Sequence, residues 1–155
     1  MTTNYLLNSN SRKKDEHMTS SELEKPLTVA EAIDAIESTY ELMLAYAAQG
    51  REREEDDPLG VRQALRRADA ALDVLEAATP NDMGSPGGAV DQATASMLSV
   101  LKQDVAKARA AFRFVLAQRS IGSQMIDNVN ASIHVRALLT DLFLIDEALK
   151  SSDIS

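Results

Sequence analysis

Residues Val135 to Leu149 read VRALLTDLFLIDEAL. The stretch holds neither Gly nor Pro and is too long for one strand, so it reads as helix. On a helical wheel Leu138, Leu142, Ile145 and Leu149 form one stripe. Leu139 and Phe143 lie beside that stripe, and Leu144 lies nearly opposite it. A soluble helix that is apolar over most of its circumference must be covered on several sides. It is therefore the central helix of a bundle or the seam of an oligomer.

Working outward, this stretch is the second half of a helix expected over 124–150. Its first half carries its apolar face differently, through Ile126, Val129, Ile133 and Ala137, so the helix bends or its halves pack against different things. Before it, Arg119 to Ser123 contains a turn. A long helix is expected over 89–118, with Val90, Thr94, Met97, Leu101, Val105, Ala108, Phe112 and Val115 on its stripe. Thr79 to Gly88 is rich in Pro and Gly and breaks the chain. A helix over 58–78, announced by Asp57 and Pro58 as cap and first position, carries Val61, Leu65, Ala68, Leu72 and Leu75. The first helix, over 28–50, opens on a T-x-x-E capping box at Thr28 and Glu31 and reaches a stop at Gly50. Val29, Ile33, Ile36, Tyr40, Met43 and Ala47 recur on it in alternating steps, and Leu42, Leu44 and Tyr46 widen the stripe.

The fold class expected is all-α: an antiparallel four-helix bundle over 26–150, preceded by a flexible N-terminal arm (1–25) and followed by a polar tail (151–155). The expected core includes Ile33, Ile36, Tyr40, Leu65, Leu72, Leu101, Val105, Phe112, Ile133, Leu142 and Ile145. In the arm, Tyr5, Leu6 and Leu7 form a short apolar triplet, and Met18 opens a shorter alternative start.

Composition fits this reading and excludes much else. The 155 residues suffice for one core, and a 4% aromatic content leaves that core to aliphatic residues, Met and Ala. A formal net charge of -8 repels phosphate backbones, so nucleic acid is an unsuitable partner. The only basic cluster near a terminus, Arg12 to Lys14, is followed at once by Asp15 and Glu16, so no polybasic membrane anchor forms. With no cysteine there is no disulfide, thiolate nucleophile or Cys-ligated zinc, which fits a cytoplasmic setting. Neither a secretory signal nor a run long enough to span a membrane is visible.

Catalytic signatures are missing. No Walker A, dinucleotide fingerprint or G-x-S-x-G occurs, and Gly84 to Gly88 lacks the Lys of a phosphate cradle. Di-iron bundles need Glu-x-x-His pairs, which the chain does not contain. Of the two histidines, His17 lies in the arm and His134 on the last helix. Histidine phosphotransfer domains are four-helix bundles, so His134 resembles a phosphoacceptor in architecture. That family places Lys three and Gly four residues after the histidine, where this chain has Ala137 and Leu138. A candidate polar recognition patch gathers Arg119, Asp127, Asn128, Asn130, His134 and Arg136, and the acidic run Glu52 to Asp57 offers a surface for a basic partner.

The expected function is a non-enzymatic protein–protein interaction module of the adaptor, assembly or secretion chaperone, or regulatory and immunity type, with no cofactor or metal. Its expected interaction surface comprises Leu139, Phe143, Leu144 and Tyr46, and its partner is another protein, a second copy, or both. The alternatives are a phosphotransfer-like signalling module using His134 and a small-ligand sensor with a pocket between helices, where Met43, Met97 and Met125 supply adaptable packing.

Overall fold

A computed structural model describes residues 25–54, 60–84 and 88–152. The expectations for the arm, including Tyr5 to Leu7 and His17, fall outside these residues, as do those for Asp57 and Pro58. The described chain forms five α-helices: α1 (Val29–Ala48), α2 (Val61–Ala77), α3 (Gly88–Leu116), α4 (Ser123–Ala131) and α5 (Ile133–Ser152). A short 3-10 turn, Pro80–Met83, follows α2. No strand occurs among the described residues, and no described helix is long and apolar enough to cross a membrane.

The first helix starts where its sequence dictates. Thr28 accepts the Glu31 amide at 3.2 Å while Glu31 accepts the Thr28 amide at 2.8 Å, closing the capping box. It stops at Gln49, and the next residue, Gly50, turns the chain with φ +63°, a conformation that favours glycine. The second helix begins at Val61, later than expected, because Gly60 precedes it with φ +67° and lies outside the helical region.

In the pairs α1–α2, α2–α3 and α3–α5, the start of one helix lies beside the end of the other. Thr39 of α1 donates to the Ala64 carbonyl of α2, while Pro26 to Val29 lie beside Val74 and Ala77 at the other end of that pair. The start of α2, at Arg62, meets the end of α3. The early residues of α3 lie beside the late residues of α5. Ala32, Ala64, Ala68, Ala71 and Ala108 are wholly buried, so α1, α2 and α3 approach closely with little side-chain volume between them. Ile33, Leu65, Leu72, Leu101, Val105, Leu138 and Leu142 fill the rest.

Two expectations are corrected here. The helix expected over 124–150 is two helices, because Ser132 takes φ -58° and ψ 129°, outside the helical region. That break resets the helical phase. Ile126 and Val129 are buried before it and Val135 and Leu138 after it, while Ile133, placed in the core by counting through the break, is 75% exposed. Tyr40 is only half-buried, packed against the edge of the core.

Candidate interaction surface

Tyr46 is not a surface residue. It is wholly buried, and its hydroxyl donates to the Ile121 carbonyl at 2.5 Å. Ser123 donates from its hydroxyl to the Tyr46 carbonyl at 2.7 Å and accepts the Arg51 amide at 2.8 Å, while the Ser123 amide donates to the Arg51 carbonyl. Gly122 lies so close to this strand of chain that a Cβ there would meet the Glu52 carbonyl oxygen at 2.9 Å. Together these contacts fasten the end of α1 to the start of α4. Leu139 is likewise buried, at 5% exposure, on the same inward face of α5 as Val135, Leu138 and Leu142. Phe143 and Leu144 are both exposed.

The exposed apolar residues divide between two sides of α5. Lys150, seven residues beyond Phe143 and so on the same face, lies near Glu37 of α1. Leu44, seven beyond Glu37, shares that residue's face. Phe143 and Leu44 therefore belong to the α1–α5 edge. Leu144 belongs to the α3 side, where it helps line a hollow of about 410 Å³ with Met83, Ala93, Met97, Leu98 and Ala148. A second hollow, of about 720 Å³, lies further along α3 against α4, among Ala111, Phe114, Val115, Met125 and Val129. Phe114 is 67% exposed at its rim and Leu144 61% exposed at the first. Val100 is exposed between them, one turn before Asp104 on the same stripe of α3.

Charge separates the two long seams of α3. Toward α2, Arg109 bonds Asp73 and Glu76 at 2.7 Å each, with its Nε 3.4 Å from Asp69, and Arg113 bonds Asp69 at 3.0 Å. These charges are complementary and close that seam. Arg62 does the same at its end, joining Glu54 to the Leu116 and Gln118 carbonyls. Toward α5 the charges are alike: Asp104 meets Asp141. Burial first, and Asp104 second, push the Asp141 carboxyl up to about 6. Its Oδ2 is buried with no donor. Lys107 stands 3.6 Å from Asp104, mostly exposed.

Of the expected polar patch, Arg119, Asp127, Asn128, His134 and Arg136 are exposed, while Asn130 is buried at 7% exposure beside the helix break, and neither its Oδ1 nor its Nδ2 has a partner. No group of three or more potential metal ligands occurs among the described residues.

Comparison with family models, curated proteins and solved structures finds no match. Function must therefore be argued from the surface itself. What sequence reasoning missed was the α3 side of the surface. The signal was present as Ala93, Val100, Ala111 and Phe114, which follow one another at steps of seven, eleven and three beside the core stripe.

Proposed function

We propose that the protein is a non-enzymatic interaction module that binds a helix of another protein along the α3–α5 face. The single observation that carries this reading is the exposure of Val100, Phe114 and Leu144 along the two hollows of that face. Large apolar residues grouped beside grooves on a monomer mark contact sites. A groove between two antiparallel helices accepts an amphipathic helix, whose apolar residues enter it at intervals of three and four. On this reading α4 and α5 are two parts of one broken element, which makes the architecture an antiparallel four-helix bundle with the α3–α5 side left for a partner. A cytoplasmic setting, which a sequence without cysteine fits, belongs to the same proposal.

The experiment titrates the full chain with synthetic amphipathic helices of about 21 residues, enough to span the roughly 32 Å from Ala93 to Phe114 at 1.5 Å per residue. Fluorescence anisotropy is expected to give dissociation constants of about 10 μM, corresponding to about 7 kcal/mol. Phe114→Glu combined with Leu144→Glu is expected to abolish binding while leaving the melting temperature in place. A chain that binds none of these helices and sediments as a strict monomer overturns the reading.

A further inference from the structure

The α3–α5 face has an acidic waist. Between its two apolar hollows, Asp104 and Asp141 oppose each other across the seam. One Asp141 oxygen is buried without a donor, and the nearby cation, Lys107, lies 3.6 Å from Asp104 and extends into solvent. Along α3, Val100 precedes Asp104 by one turn, about 6 Å, and Ala111 and Phe114 follow it by two to three turns, about 10–15 Å.

Resting on the reading of this face as a docking surface, we infer that its partner is an amphipathic helix carrying a Lys or Arg between apolar residues, the cation seated on the Asp104–Asp141 pair. The cation lies one turn from one apolar anchor and two to three turns from the other. Two like charges held together and partly desolvated are unfavourable in the free chain, as the raised Asp141 carboxyl records. A neutral helix laid over them would desolvate them further with nothing in return. A second copy docking about a two-fold axis through the waist would bring four carboxylates together, a like-charge juxtaposition that opposes association. A cationic side chain resolves the conflict, and guanidinium does so best because its planar fork can engage carboxylates in pairs.

The test uses three synthetic amphipathic helices, identical except for Arg, Gln or Glu at the central position, titrated against the full chain at neutral pH. The Arg helix is expected to bind at least about tenfold more tightly than the Gln helix, with the Glu helix weakest. The chain carrying Asp104→Asn and Asp141→Asn is expected to keep its fold by circular dichroism and to lose this ranking. Equal binding of the Arg and Gln helices overturns the charge reading while leaving the docking surface standing. If no helix binds and the chain is a dimer that Phe114→Glu with Leu144→Glu dissociates, a second copy occupies the face. If the helices bind only after Leu6→Glu and Leu7→Glu, the chain's own N-terminal segment does. Either of these results overturns the inference.

Discussion

Replacing Asp141 by Asn is expected to stabilise the protein at neutral pH. The carboxyl sits at about 6 in the folded chain against 3.8 ordinarily, raised first by burial and then by its hydrogen bond to Asp104 and the charge of that residue. A folded state that holds this proton more tightly than the unfolded chain loses stability as pH rises from 3.8 through about 6, and above that the loss is complete. The displacement corresponds to at most about 3 kcal/mol. Solvent access and screening reduce it to about 1 kcal/mol. Asn keeps the shape, cannot ionise, and adds an N–H that can donate to Asp104. Urea melts of parent and Asp141→Asn, followed by circular dichroism across the acid-to-neutral range, are the assay. The variant should exceed the parent by about 1 kcal/mol at neutral pH, with the gap narrowing as the parent's carboxyl protonates. A variant equal to or weaker than the parent at neutral pH would refute the argument that the pair is strained.

Four other outcomes follow from the geometry. Tyr46→Phe should cost about 1–3 kcal/mol in chemical melts, because the Ile121 carbonyl is left without its buried donor. Gly122→Ala should cost about 1–3 kcal/mol by the same measurement, since the new methyl meets backbone oxygen rather than a movable side chain. Leu72→Ala and Leu142→Ala should each lose about 2–5 kcal/mol, both side chains being wholly buried. Ile133→Glu should shift stability by no more than about 0.5 kcal/mol, and a large loss would place that residue back in the core.

Helix existence was legible in the chain because the apolar repeats are long and the punctuation is explicit. The capping box at Thr28 and the turn at Gly50 both lie where the letters place them. Ser132 was not legible, since serine neither forbids nor demands a helix interior, and nothing else in the local sequence marks the break there. The change of apolar face signalled a bend but not its position, and counting through it carried Ile133 inward; Leu139 was set outward because the buried face of α5 is broader than one stripe. Tyr46 misled for a different reason. A tyrosine on a broad stripe looks like a rim residue until the acceptor for its hydroxyl is known, and that acceptor comes from a distant part of the sequence. The acidic waist needed the third dimension altogether, because Asp104 and Asp141 stand on different helices with no motif linking them.

The fastening of α1 to α4 bears on how the protein is made. Tyr46 finds its acceptor 75 residues downstream and Ser123 reaches back 77. During synthesis, α1 and α2 can pair as soon as both have emerged, since Thr39 and Ala64 are only 25 apart. Until residue 121 follows, however, the Tyr46 hydroxyl lacks the Ile121 carbonyl that accepts it in the folded domain. A nascent chain halted after α3 also leaves open the faces that α4 and α5 will cover. The domain thus becomes cooperative late in translation, and the interval before that is when a holding chaperone would find most to bind.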